Sequence, residues 1–216
     1  MTTTLERWNA EDEAFWQATG RRVALRNLAV SIPNLLCGFA VWMYWGMIAS
    51  FLRKVHAGNP ALFDFLKEAG ANGDQAQAYA ALVLTLPAIA GLVGATLRIP
   101  NSFVVGLCGG RNVVATTTAL LLLPALGTAL ALRNPRVPFW VLAMLAGFSG
   151  IGGGAFASSM SNISAFFPKR MQGLALGLNA GLGNLGVSLM QFLIPWAVTF
   201  RLFGPLSGDP QVFASA

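Results

Sequence analysis

Residues 171–200 carry no charge, a run of thirty residues that one helix can use to cross a lipid bilayer. Inside the run, Gly181-x-Gly183-x-x-Gly186 has the spacing of a dinucleotide-binding fingerprint. That fingerprint requires a strand before it, a helix after it and an acidic residue about twenty positions on. Here it interrupts a continuous apolar segment, and the next acid is Asp209. No Gly-Lys-[Ser/Thr] loop is present either, so the nucleotide reading fails and the membrane reading stands.

The rest of the chain repeats the pattern. Only 10% of residues are charged and 55% are hydrophobic, against about 25% charged in a soluble domain. The charges gather between uncharged tracts, which predicts an all-α, polytopic membrane protein with spans at about 27–52, 76–105, 112–132, 139–167 and 171–200. Residues 1–26 hold four arginines, four acids, Trp8, Phe15 and Trp16. They read as an interfacial, cytoplasmic segment with aromatic rings at headgroup level. Residues 201–216 read as a polar tail, and 27–200 as the transmembrane bundle. Pro33 falls in the first turns of span one, where a missing N–H is tolerated. Trp42, Tyr44 and Trp45 read as belt anchors and packing groups, with pathway lining as the alternative. His56, the only histidine, reads as a solvated loop residue, and Cys37 and Cys108 as inert packing. The net charge of +6 is spread over short loops. It points to membrane topology and an anionic cargo rather than to nucleic acid. Lys and Arg outside the spans divide almost evenly between the two sides, and only Arg21, Arg22 and Arg26 favour a cytoplasmic N-terminus.

Arg98 is the one charge within a span. Placing arginine mid-helix costs about 2.5–3.5 kcal/mol on insertion scales, and every carboxylate lies in a tail or loop. An arginine there without an acid is a candidate site for a mobile anion; the alternative is that its long stem snorkels to the interface. The planar guanidinium fork suits a flat oxyanion. With no Asp, Glu or His inside a span, either one anion exchanges for another or the proton site lies on further chain. Gly173, Gly177 and Gly181 recur every four residues and predict a smooth face for a neighbouring helix. Gly152, Gly153 and Gly154 do the same in the fourth span, and Gly183 and Gly186 extend the fifth-span series. Asn179 and Asn184 need partners in hydrocarbon, either an anion or another helix. No nucleophile–base pair, metal cluster or cofactor loop is present, so neither an enzyme nor a cofactor is expected.

Three stretches carry a resemblance. Phe156-Ala-Ser-Ser-Met160 with Phe-Phe-Pro168, the run Gln172–Ser188 containing Asn179 and Asn184, and Thr96-Leu-Arg98-Ile-Pro-Asn-Ser-Phe103 are similar to segments of the nitrate/nitrite porters of the major facilitator superfamily. The motifs Glu11-Asp-x-Ala-Phe15-Trp16 and Val41-Trp-Met-Tyr-Trp45 fit that family's start. The resemblance implies a fold of two six-helix halves with substrate between them. It makes Arg98 the substrate arginine of the N-terminal half, Phe156 an aromatic that stacks on the ion, and Asn179 and Asn184 part of the nitrate signature. Gly106-x-x-x-Gly110-Arg111 resembles the superfamily's cytoplasmic gating motif, without its aspartate. On this reading the chain is a truncated N-terminal bundle of five helices in the inner membrane. The missing C-terminal half is its partner, and nitrate and nitrite its cargo, by exchange or proton symport. A non-transporting interaction subunit and a porter for another small anion such as formate are the competing readings.

Overall fold

The computed structural model describes residues 8–69 and 75–199. The tail at 201–216 and the first seven residues of the N-terminal segment lie outside the described residues. Helix α1 (Glu13–Phe15), a π-helical turn (Trp16–Gly20), α2 (Arg21–Met43) and α3 (Trp45–Gly58) run into one another with a single break at Tyr44. The Asp12 carboxylate starts the series by accepting the Ala14 and Phe15 N–H groups at 3.0 and 3.3 Å. Short α4 (Leu66–Ala69) is followed by α5 (Gln75–Cys108), α6 (Gly110–Ala131), α7 (Phe139–Phe166) and α8 (Lys169–Thr199). The described residues contain no strand. Five helical stretches, beginning at Glu13, Gln75, Gly110, Phe139 and Lys169, are long and apolar enough to cross a membrane. Large apolar side chains such as Leu92, Phe103 and Leu107 point outward, as lipid contact requires. The chain is an all-α, multi-pass membrane protein.

The helices extend beyond the uncharged tracts that announced them. The helical stretch that carries span one begins at Glu13, before residue 27, and its second half continues through Arg53 and Lys54 to Gly58. A gap in charge marks where the chain can meet hydrocarbon, whereas hydrogen bonding continues through polar residues on either side. Pro33 therefore lies inside α2 rather than in its first turns. His56 is likewise not a solvated loop residue. It occupies the last turn of α3, with Nδ1 3.2 Å from the Leu62 carbonyl and its ring stacked on Tyr79 at 3.8 Å. Cys37 and Cys108 are free and exposed, so neither packs inside the bundle. The α5–α6 link shrinks to Gly109, whose φ of +77° favours glycine.

Helix α7 is the hub, packed against α2, α5, α6 and α8, and glycines set its distances. An added Cβ at Gly152 collides with the Gly38 carbonyl oxygen of α2. One at Gly150 lies 2.8 Å from the Gly94 nitrogen of α5, and one at Gly154 lies 2.7 Å from the Leu97 Cβ. Backbones meet because nothing stands between them.

The N-terminal segment clasps the α7–α8 turn. Trp16 is buried, 2% exposed, and its ring lies 5.9 Å from that of Phe167. The Trp8 indole N–H donates to the Ala165 carbonyl at 3.1 Å, with its ring against Phe15 and Phe166. A Glu11 carboxylate oxygen accepts the Lys169 N–H at 2.8 Å, which caps α8, and Glu13 pairs with Arg170.

Candidate functional site

The close approach of α5 to α7 decides where Arg98 goes. With Gly150, Gly153 and Gly154 offering no side chains, Arg98 reaches the α7 backbone and its Nε donates to the Gly153 carbonyl at 3.3 Å. Its guanidinium carbon lies 5.2 Å from the centre of the Phe156 ring and 5.5 Å from that of Trp42. Phe39 sits behind both rings, 5.8 Å from each. Three helices, α2, α5 and α7, thus converge on one half-buried cation.

Among the described residues no carboxylate joins it. The ion pairs among the described residues are Asp64–Lys67 and Glu13–Arg170, neither of which involves Arg98. The terminal Nη groups of Arg98 have no hydrogen-bond partner among the described residues. A desolvated cation over an aromatic face gains about 0.5–2 kcal/mol per ring. Two rings and a carbonyl therefore offset most of the 2.5–3.5 kcal/mol insertion cost of about one arginine. The charge is tolerated without being neutralised, and the donor fork stays available for an anion.

The chain aligns over nearly its whole length with transporters of one kind. It is 39% identical to the nitrate/nitrite transporter NarU of Escherichia coli, over 98% of this chain and 42% of that protein. The Salmonella typhimurium NarU is 41% identical, over 96% and 41%. A probable nitrate/nitrite antiporter, NarK2 of Thermus thermophilus, is 40% identical, over 98% and 43%. The chain belongs, as a partial-length member, to the nitrate/nitrite porters. It spans about two fifths of the length of these relatives. No family model matches it.

Within this porter segment the two signature asparagines part company. Asn179 is fully buried, and its Nδ2 donates to Ser159 Oγ at 2.8 Å; Ser159 in turn shares a 2.8 Å hydrogen bond with Ser31. It thereby ties α8 to α7 and α2, while its buried Oδ1 has no hydrogen-bond partner among the described residues. Asn184, five residues on and about 140° around the helix, is exposed. Replacing Asn179 by Ala should cost about 0.6–1.7 kcal/mol, seen as a lower melting temperature in detergent with anion affinity unchanged. A loss of anion affinity at an unchanged melting temperature would contradict that division of roles.

The glycines also separate by face. Gly183 and Gly186 pack on α2, where an added Cβ meets Leu35 at 2.6 Å or collides with the Leu36 carbonyl oxygen. At Gly173, Gly177 and Gly181 nothing among the described residues lies within 4 Å of an added Cβ. Two positions along a helix is about 200° around it, so the porter segment uses one glycine face internally and leaves the other open. Arg111 is exposed at the start of α6. It lines, with Arg26, a cavity of about 920 Å³ between α2 and α6, away from Arg98. Among the described residues no His/Cys/Asp/Glu cluster has the makings of a metal site.

Phe39 and Trp42 were not singled out by sequence as partners of the arginine. Their spacing of three residues places them on one helical face, the only signal available beforehand.

Proposed function

We propose that this chain is the N-terminal half of a porter that moves nitrate and nitrite across the inner membrane by alternating access. One observation carries the reading: Arg98 is held by two aromatic faces and a carbonyl, with no carboxylate to occupy its fork. A trigonal-planar ion matches that fork through two parallel N–H···O bonds. Phe156 supplies a face against which the flat ion stacks. Asn184, on the open side of α8, adds an amide from a second helix. The absence of an ionisable acid in the spans favours exchange of one anion for another over proton coupling within this half. Arg21, Arg22 and Arg26, next to the first span, support a cytoplasmic N-terminus.

The rest of the porter covers two surfaces of this segment. The open face of α8, with Gly173, Gly177, Gly181 and Asn184, meets the opposite half and lets it rock close to the backbone. The groove between α2 and α6 receives a further helix. The groove is lined from both helices, by Val30 and Pro33 of α2 and by Val114 and Leu122 of α6. Transport needs both halves, because the site is built between them. The 216-residue chain, purified and reconstituted in liposomes, should take up no more labelled nitrate than protein-free vesicles. Uptake by this chain alone would overturn the two-half reading. Stable co-purification with a transporter whose activity survives loss of Arg98 would favour an interaction subunit instead.

A further inference from the structure

We infer that Trp42 is the positioning residue of the Arg98 site, and that Gly94 and Gly153 form the slot that seats it. This rests on the reading of Arg98 as the anion-binding group. The Trp42 indole lies between two helices at points where neither has a side chain. An added Cβ at Gly94 would come within 2.6 Å of its Nε1, and one at Gly153 within 2.6 Å of its Cε2. The indole N–H donates to the Ala90 carbonyl at 2.7 Å, which fixes the rotation of the ring. Gly153 is also the residue whose carbonyl accepts from Arg98 Nε. Slot, ring and carbonyl therefore fix one geometry for the guanidinium.

The chemistry explains why an aromatic ring stands here. A carboxylate beside Arg98 would hold the cation equally well, but it would fill the fork that an anion needs. Water would satisfy the fork and compete with the ion. The π face of an indole attracts the cation through its quadrupole without offering a hydrogen-bond acceptor to Nη. Trp42 thus orients and stabilises a charge while leaving its donors free. Phe156 is open to a second duty against the ion. Trp42, wedged between α5 and α7, is committed to the arginine.

The test uses the full-length porter in lipid nanodiscs with arginine side chains labelled with ¹⁵N. The Arg98 Nε–H resonance is assigned by its loss in Arg98→Lys, and sodium nitrate is titrated. The indole ring current should displace that resonance from those of loop arginines, and nitrate should move it further. Trp42→Leu should return it toward the loop position and weaken nitrate binding about tenfold. Trp42→Phe keeps a ring but loses the Nε1 bond, so it should weaken binding about threefold, a partial rescue. Trp140→Phe, at an exposed outer position, should change neither. If Trp42→Leu does not fold, as judged by circular dichroism, Trp42→Phe decides. A Trp42→Phe protein with wild-type Arg98 shift and wild-type nitrate affinity overturns the inference, as does a Trp42→Leu protein within twofold of wild type. If nitrate leaves the wild-type Arg98 resonance unmoved, the anion assignment fails. The positioning claim is then judged on the ring-current shift alone.

Discussion

Arg98→Ala in the full-length porter should abolish nitrate/nitrite exchange while leaving the fold intact or slightly more stable. Each charge-assisted hydrogen bond to the fork contributes about 1.5–3 kcal/mol, so losing two corresponds to at least about a hundredfold drop in transport. Stability moves the other way, because the substitution removes a charge that costs energy in hydrocarbon and that no carboxylate neutralises. Arg98→Lys separates charge from geometry. Lysine keeps the cation but offers a point charge in place of parallel donors, so its activity should fall between wild type and Ala. Counterflow in proteoliposomes measures the first effect and thermal melting in detergent the second. Uptake by Arg98→Ala within twofold of wild type would remove this residue from the site.

The second large effect concerns stability. Gly152→Ala should be the most damaging single methyl group in the α2–α7 crossing. An added Cβ there collides with the Gly38 carbonyl oxygen and lies 2.9 Å from the Gly38 carbonyl carbon. Both sides of the contact are backbone, so no side chain can swing away, and the helices must separate. Overpacking costs about 1–3 kcal/mol at an ordinary core site, and this contact falls at the upper end. Gly38→Ala, whose added Cβ lies 3.3 Å from the Gly152 oxygen, should be milder. On α8, Gly173→Ala and Gly177→Ala meet nothing and should leave this chain as stable or more so, since alanine favours helix by about 0.8–1 kcal/mol. Melting temperatures by fluorescence-detected size exclusion rank the four. A Gly152→Ala protein as stable as Gly177→Ala would refute the crossing geometry.

The contrast between these glycines shows where sequence reading stops. The number of spans was legible because hydrocarbon excludes charge, so the charged residues punctuate the helices. Arg98 was legible for the same reason, as the single exception. Helix ends were not, because hydrogen bonding continues past the membrane through Arg21, Arg53 and Lys54. Facing was the harder problem. In a segment apolar all round, nothing marks the side that meets protein, so Gly181 and Gly183 looked alike while one is open and the other packs on Leu35. Asn179 and Asn184 share a motif and part for that reason. Trp42 read as a belt anchor or packing group, with pathway lining as the alternative, because an indole suits each of those places. Its partnership with Arg98 depends on Gly94 and Gly153, residues far apart in the chain that only the packed bundle brings together.

The clasp between residues 8–16 and the α7–α8 turn has a consequence for how the protein is made. Trp8 bonds a residue 157 positions later and Glu11 one 158 positions later. At about 5–20 residues per second of synthesis, these side chains wait roughly 8–30 s for their partners. Until Ile163 and Phe167 emerge, Trp16 has only its near neighbours Ala24 and Leu28 to pack against. Closure of that contact therefore reports that four spans have been inserted and the fifth has begun. A segment made early becomes the fastening for one made four spans later.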